Sequence, residues 1–361
     1  IVEVLARGRE RVVGVLGGSI GKLWLAPDDT RVRGPIEVED HDGAQLGLAA
    51  VITIERYPVY PDELPRGRLL ATLGVPGDPQ VEVAKILLDN DIEEEHHPDA
   101  VAEAAACPDE LSPAERAGRT DLTHLPIVTI DPADARDHDD AIWVERNEQG
   151  DYHVWIAIAD VSHYVAEGGA LDREAMHRGC SVYLPDRAIP MLPQRLAADL
   201  CSLKAGIDRP SMCIEVELDA TGEVVSSKIH EAIVRSRAFM SYPSVARALG
   251  FTEEADRDPE AESRVESLRV LWDLCTLLRA RRMKRGALDL DVPEARIELD
   301  ESTKLPIGVT ERAQDPGVRK AYRLVEEMML LGNETVAAFM HEHKIPAIYR
   351  VHGSPDPQRI D

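Results

Sequence analysis

A cluster of aspartates in the segment TIDPADARDHDDAI, residues 129–142, restricts the fold more than any other feature of the sequence. Five of the ten residues from 131 to 140 are Asp, and Arg136 is the one Lys or Arg among them. Because like charges at this spacing repel one another, a fold that gathers them has to compensate their charge. An apolar strand, LPIVTI, runs directly into Asp131, and a second strand, AIWVER, follows Asp140. A strand–loop–strand turn of this kind can bring position 131 close to positions 137–140 in space.

Divalent cations are one source of the compensating charge. Carboxylate oxygens are hard ligands that favour Mg²⁺ or Mn²⁺, and these ions also bind substrate phosphates. Two such ions about 4 Å apart can activate a water and stabilise the leaving oxygen in phosphodiester cleavage. The residues alone are also compatible with a solvated acidic turn or with a calcium loop. An EF-hand frame starting at Asp131 does not fit, because it would place Arg136 and Ile142 where Gly and Glu are needed. The letters HDD also suggest an HD-type phosphohydrolase, but the sequence offers no convincing set of further His ligands.

Composition and charge limit the class of protein. The chain has 361 residues, of which 44% are hydrophobic and 30% charged, as expected of a soluble protein of two or three domains. It contains no run of apolar residues long enough to predict a membrane span. Five cysteines without a CxxC pair indicate reduced thiols in a cytoplasmic protein. The net charge of −25 by itself argues against a nucleic-acid partner, although binding depends on where the charges lie.

Local patterns divide the chain into three regions and predict an α+β fold. Residues 1–74 show five short strands separated by turn signals, which predict a small β-barrel such as an OB fold. The strands are IVEVLAR, RVVGVLG, KLWLAP, AAVITIERY and GRLLATLG. Residues 75–122 predict a helical connector, in which SPAERAGR starts with a Ser N-cap and has Pro at the first helical position. Residues 123–361 predict one large mixed α/β domain, with one long helix over 258–286 and another over 322–343.

Three segments resemble a known family: TIDPADARDHDDAI, WIAIADVSHYV and ALDREAMHRGCSVYLPDRAIPMLPQRLAADLCSL. Their order and spacing from residue 129 to residue 203 resemble the RNB catalytic domain of the ribonuclease R/ribonuclease II exoribonucleases. Weaker similarity continues through VRSRAFMSYPSV, RGALDLDVPEARIELDE, YRLVEEMMLLGNE and AIYRVHGSPDP. The N-terminal barrel and the connector resemble that family's second cold-shock domain and the segment after it.

The resemblance implies a hydrolase that degrades single-stranded RNA processively from the 3′ end and releases nucleoside 5′-monophosphates by a two-metal-ion mechanism. It implies Mg²⁺ as cofactor, with Mn²⁺ as a substitute, and it indicates no membrane and no particular protein partner. The family's metal-supporting aspartates fall on Asp131, Asp137, Asp139 and Asp140. Cleavage is expected to depend most on Asp139, which would hold the metal that activates the attacking water. Asp134 is predicted to be exposed and not to bind metal.

The resemblance also implies three RNA-binding side chains. Tyr183 in SVYLPD corresponds to a tyrosine that stacks on bases near the 3′ end, although the local pattern alone favours a core tyrosine. Tyr242 in FMSYPSV corresponds to a second tyrosine near the substrate. Glu326 in LVEEMM corresponds to a glutamate that contacts the terminal ribose, with Glu327 as the neighbouring candidate. Stacking tolerates any base because every base has a π face, and a contact to the 2′-hydroxyl separates RNA from DNA.

The sequence departs from the family pattern at two places. Leu290 in RGALDLD stands where the family usually has an aromatic residue that clamps the terminal base. The chain stops at Asp361, before an RRYxD-like segment whose arginine stabilises charge on the scissile phosphate, and before an S1 barrel. We therefore expect a fragment of a longer protein. The alternatives are a catalytically impaired RNB-family protein that binds RNA or acts as a scaffold, and a Mg²⁺ phosphohydrolase of small substrates, which the tyrosines and the barrel disfavour.

Overall fold

The computed structural model describes residues 10–19, 22–39, 45–60, 62–288, 295–300, 302–311, 315–349, 351, 353 and 356. These residues divide into two compact units: the first contains the described residues up to His96 together with 302–305, and the second contains the rest. None of the helices that they form combines the length and the apolar composition that a membrane span requires.

The first unit is built on a closed barrel. Its strands are β1 (Arg11–Ser19), β2 (Lys22–Pro27), β3 (Ile36–Val38), β4 (Ala49–Arg56) and β5 (Arg66–Gly74), and they close in the order β1-β2-β3-β5-β4. Alternate apolar side chains, such as Leu16, Leu25 and Ile52, point inward and form the barrel core. The predicted OB-type barrel is confirmed. The predicted strand IVEVLAR lies outside the described residues, whereas β3 was not predicted because three residues are too few to show an alternation.

Three helices follow the barrel: α1 (Pro79–Asp89), α2 (Pro98–Ala106) and α3 (Pro113–Ala117). Each begins with Pro in its first turn, directly after an N-cap residue whose side chain accepts a backbone hydrogen bond. The N-cap that the sequence predicts at Ser112 is present, and Glu115 completes a capping box. The boundary between the units falls inside the predicted connector, so that α1 belongs to the first unit and α2 and α3 to the second.

The second unit contains the remaining elements. They are β6 (Thr120–Asp121), β7 (Thr129–Asp131), β8 (Asp140–Arg146), β9 (Tyr152–Ala159), α4 (Ala170–Arg178), β10 (Val182–Tyr183), β11 (Ala188–Ile189), β12 (Asp208–Leu218), β13 (Val224–Arg235), β14 (Phe239–Ser241), α5 (Tyr242–Ala248), α6 (Pro259–Ser263), α7 (Val265–Lys284), β15 (Ala295–Leu299), β16 (Pro306–Glu311) and α8 (Pro316–Glu342). A π-helical turn, Leu196–Leu200, precedes β12. The predicted mixed α/β domain is confirmed.

A central sheet with the strand order β6-β13-β12-β9-β8 organises this unit. Because side chains alternate along each strand, the sheet has two distinct faces. Ile156 and Val216 lie on one face, in a core that also contains Leu324 and Met328 of α8. Ala157 and Cys213 lie on the other face, in a second core completed by α2, α4 and the π-helical turn.

The predicted single helix over 258–286 was wrong, because the chain forms two helices there. The helical geometry is interrupted at Arg264, which ends α6 and precedes α7. This break lets α6 pack on α5 and β14 while α7 packs on α8 and β8. An apolar periodicity continues across the break, so the sequence pattern did not reveal it.

Candidate active site

The acidic segment lies where two strands of the second unit meet. Asp131 is the last residue of β7 and Asp140 is the first residue of β8, while Asp137 and Asp139 lie on the loop between them. A backbone bridge between Val128 and Ile142 holds β7 beside β8. The structure therefore brings the end of one strand and the start of the next together, as the sequence suggested.

Burial and mutual repulsion change the ionisation of two of these carboxyl groups. Desolvation by the surrounding protein, followed by the negative charges of Asp131 and Asp139, raises the pKa of Asp140 to about 7. Desolvation and the charges of Asp137 and Asp131 also raise the pKa of Asp139. Asp139 is exposed to solvent, yet the protein around it is dense enough to desolvate its carboxyl group. Both properties together are expected of a side chain in a recess. His138, which lies between Asp137 and Asp139 in the sequence, opposes both shifts.

The donor chemistry of the cluster fits a hard dication. Carboxylate oxygens suit Mg²⁺ or Mn²⁺, and a dication would relieve the repulsion that, together with desolvation, raises both pKa values. The side chains are not in a ligating arrangement as they stand: within the described ranges, no three carboxylate, imidazole or thiol groups are placed to hold one ion. One reason is that Asp131 is already engaged, with its Oδ2 2.8 Å from Nδ1 of His138.

His138 is a site residue that sequence reasoning missed. It is buried, it packs against Phe239 with 4.7 Å between the ring centroids, and its Nδ1 donates a hydrogen bond to the carboxylate of Asp131. Its position between Asp137 and Asp139 was the available signal. Its partner Asp131, however, lies seven positions earlier at the end of a strand, and the pairing cannot be recognised without the fold.

Asp134 behaves differently from the other aspartates in the segment. Its side chain is 79% exposed, and its carboxylate lies 3.9 Å from the guanidinium of Arg296. The prediction that Asp134 is exposed is confirmed.

Tyr183 lies on the protein surface next to the acidic loop. It ends the two-residue strand β10, and it is 73% exposed. Desolvation raises the pKa of its phenol, and so do the negative charges of Asp137 and Asp139, which must therefore be near. A core role for this tyrosine is excluded, and the ring has a free face beside the carboxylates.

Tyr242 lies below the cluster, not on its surface. It is the first residue of α5 and is 7% exposed, and its ring stacks on Tyr322 with 3.8 Å between the centroids. Burial raises the pKa of Tyr242, with a further contribution from the charges of Asp131 and Asp140. The ring has no free face on which a base could stack, so this placement does not support the predicted RNA contact.

The two candidate glutamates on α8 have different environments. Glu327 is buried and lies 2.5 Å from Nη2 of Arg282. Glu326 lies 3.2 Å from the same nitrogen, but its side chain is 51% exposed. Glu326 is therefore the one of the pair that solvent or a ligand can reach. Leu290, where the family clamp is expected, lies outside the described residues.

Comparison with known proteins agrees with this architecture. A family model described as an RNB domain matches residues 119–361, and one described as a cold shock domain matches residues 24–96. Ribonuclease R of Thermotoga maritima is 38% identical over 367 residues, covering 100% of this chain and 50% of that protein. Ribonuclease R of Escherichia coli is 34% identical over 365 residues, covering 100% of this chain and 44% of that protein. The chain thus spans about half the length of the relatives it matches.

Solved structures show the same fold. Mycoplasma genitalium RNase R in complex with double-stranded RNA superposes with a TM-score of 0.87 at 31% identity, covering 100% of this chain and 62% of that one. Yeast Ssd1, a pseudonuclease, shares the fold at a TM-score of 0.70 and 20% identity. Because the RNB match covers most of the chain and the likeness to ribonuclease R runs along its whole length, the chain belongs to the ribonuclease R/ribonuclease II family.

Proposed function

We propose that the chain carries the catalytic part of a Mg²⁺-dependent exoribonuclease that shortens single-stranded RNA processively from the 3′ end and releases nucleoside 5′-monophosphates. The observation that carries the proposal is the group of mutually repelling carboxylates, two of them with raised pKa values, in the RNB domain of the chain. The relatives named above as ribonuclease R support RNA as the substrate.

Asp131, Asp137, Asp139 and Asp140 would hold two Mg²⁺ ions. Such a pair supplies an activated water and stabilises the leaving oxygen of the phosphodiester. Before the ions bind, Asp140 holds a proton for part of the time near neutral pH, because its pKa is about 7. Its carboxylate form is the one that ligates a metal, so binding releases this proton.

The remaining residues act on the nucleotide. Tyr183 presents a free ring face beside Asp137 and Asp139, on which the base near the scissile bond would stack. Glu326 is the accessible carboxylate of the α8 pair and would accept a hydrogen bond from the terminal ribose. We assign Tyr242 to packing beneath the cluster, in view of its burial. The five free cysteines support a reducing compartment, and we place the protein in the cytoplasm.

The test uses the full-length protein that contains these 361 residues, with 5′-labelled single-stranded RNA and Mg²⁺. We expect conversion of the RNA into a short 5′-labelled end product with few intermediates, loss of that product in Asp139→Asn, and wild-type behaviour in the matched control Asp134→Asn, whose side chain is exposed. Equal activity of Asp139→Asn and the wild type would contradict the proposal.

The alternative is an RNB-family protein that binds RNA without turnover. The observation that favours it is that the described carboxylates are not in a ligating arrangement. It predicts that the wild-type full-length protein binds the labelled RNA but shortens it at no Mg²⁺ concentration. The same gel therefore distinguishes the two functions.

A further inference from the structure

The loop that carries Asp137 and Asp139 has no regular secondary structure. Residues 135–139 are neither helix nor strand, so their backbone makes no repeating hydrogen bonds. Fixing each residue of such a loop costs conformational entropy, and repulsion between the carboxylates would spread the loop further. The position of Asp137 therefore has to be fixed by groups outside the loop.

Ser202 supplies that contact. Its Oγ accepts a hydrogen bond from the backbone N–H of His138 at 3.1 Å and donates one to the carbonyl oxygen of Arg136 at 3.4 Å. The two backbone groups are those on either side of Asp137, so one hydroxyl holds both flanks of that residue. The next residue, Leu203, donates its N–H to the carbonyl oxygen of His138 at 2.8 Å.

Ser202 is itself rigidly held. It is fully buried and lies two residues after the end of the π-helical turn, and its N–H donates to the carbonyl oxygen of Asp199. Its own carbonyl oxygen accepts from Nε of Arg209 at 3.2 Å, and that arginine is 4% exposed. A buried hydroxyl destabilises the fold unless its hydrogen bonds are satisfied. Both hydrogen bonds of the Ser202 hydroxyl go to the acidic loop.

We propose that Ser202 is a positioning residue, which fixes the backbone around Asp137 so that the carboxylates of the loop meet a divalent cation in one arrangement. The inference rests on the proposed function, because it assumes that these carboxylates bind the cation. Groups that orient metal ligands typically contribute 10–100-fold to metal affinity. A purely structural serine would affect stability and leave the cation affinity of the folded chain unchanged.

The experiment measures cation binding and loop order in the 361-residue chain without RNA. Mn²⁺ is titrated calorimetrically into the wild type and into Ser202→Ala, and amide hydrogen exchange is followed for the peptide that contains residues 136–139. We expect Ser202→Ala to weaken Mn²⁺ binding by about 10–100-fold and to speed exchange in this peptide. Ser236→Ala is the matched control, since Ser236 is also buried but its Oγ bonds to the carbonyl oxygen of Ala238 instead. This control is expected to bind Mn²⁺ as the wild type does.

The possible results separate the two proposals. If folded Ser202→Ala exchanges faster in the loop but binds Mn²⁺ like the wild type, the positioning role is wrong and the cation site stands. If the wild type binds no Mn²⁺, the cation site is wrong and the positioning role falls with it. Should the alanine variant not fold, Ser202→Cys fills the same space with weaker hydrogen bonds, and the same expected and contradicting outcomes apply to it.

Discussion

Asp140 shows how strongly one residue of the site depends on its neighbours. Its carboxyl group is desolvated at the start of β8 and faces the negative charges of Asp131 and Asp139. Asp134 lies six positions earlier in the same segment, but its side chain is exposed to water. Both residues are aspartates of the same ten-residue segment, so the residue type does not explain the difference, which comes from the fold around them.

A pH dependence of stability follows from the raised pKa of Asp140. Between about pH 4 and pH 7 the folded chain holds a proton that the unfolded chain releases, so the free energy of unfolding falls as the pH rises through this range. We expect Asp140→Asn to be more stable than the wild type by on the order of 1–3 kcal/mol at about pH 8 without divalent cations, and by much less at about pH 5. Urea unfolding in EDTA at the two pH values measures the difference. Asp134→Asn is the control, and a gain independent of pH would contradict the argument.

The exposed ring of Tyr183 leads to a prediction on RNA affinity. Stacking on an aromatic ring contributes about 1–3 kcal/mol per base, so Tyr183→Ala should weaken binding of a short single-stranded RNA by roughly 5–150-fold. Tyr183→Phe keeps the ring and should bind like the parent. Fluorescence anisotropy in an Asp139→Asn background, which prevents cleavage, measures both variants. Equal affinities of the alanine and phenylalanine variants would rule out stacking at this position.

At the scale of the elements, three neighbouring strands of the second unit are joined by one carboxylate. Glu215 on β12 lies 2.8 Å from Nε2 of His153 on β9 and 2.8 Å from Nε2 of His230 on β13. A carboxylate only accepts hydrogen bonds, so both ring nitrogens donate. Desolvation acts to raise the pKa of Glu215, but the bonds from His230 and His153 outweigh it and the pKa is lowered.

This arrangement predicts a loss of stability in acid. The lowered pKa means that Glu215 stabilises the fold above the pKa of the unfolded chain, and that this contribution disappears as the pH falls through the folded value. We expect Glu215→Gln to lower the free energy of unfolding by about 1–2 kcal/mol near pH 7 and to have little effect near pH 3. Chemical unfolding monitored by circular dichroism tests this, with Glu217→Gln as the control on the same strand. An effect of the same size at both pH values would contradict the prediction.

The elements that could be predicted are those with local signals. Pro after an N-cap marks the start of α1, α2 and α3, and the barrel strands show a two-residue alternation. The break at Arg264, the strand β3 and the burial of Tyr242 depend on contacts with distant parts of the chain. The aspartates could be named from the resemblance, whereas His138 and Ser202 could not, since their roles consist of contacts to partners that the fold brings near.

At the scale of the whole molecule, the charge distribution bears on how RNA would be held. The net charge is −25, and basic side chains on β5 of the barrel are paired: Arg66 with Glu37 and Glu39, and Arg68 with Glu55. Arg282 and Arg285 of the second unit are likewise paired with glutamates of α8. The charges of these arginines are offset by carboxylates, so in the proposed function stacking and metal contacts would have to carry more of the RNA binding.

This leads to a prediction on salt dependence. Affinity for a single strand falls with monovalent salt in proportion to the number of phosphates that the protein neutralises. We expect the RNA affinity of Asp139→Asn to fall by less than about tenfold between 50 and 200 mM KCl at constant Mg²⁺. Anisotropy titrations at both salt concentrations give the slope. A loss of a thousandfold would indicate many phosphate contacts and would contradict this view of the surface.

The backbone N–H of Ala159 donates a hydrogen bond to the carbonyl oxygen of Asp139 at 2.9 Å. This bond extends the pairing of β9 with β8 by one residue, to the last aspartate before β8, so the sheet anchors the backbone of the loop on that side. The backbone of Asp139 is therefore not free to move away from that of Asp140 and so relieve the repulsion between the two carboxylates. Side-chain rotation is the motion that remains, and a cation bound among these groups would offset their repulsion while the sheet pairing stays unchanged.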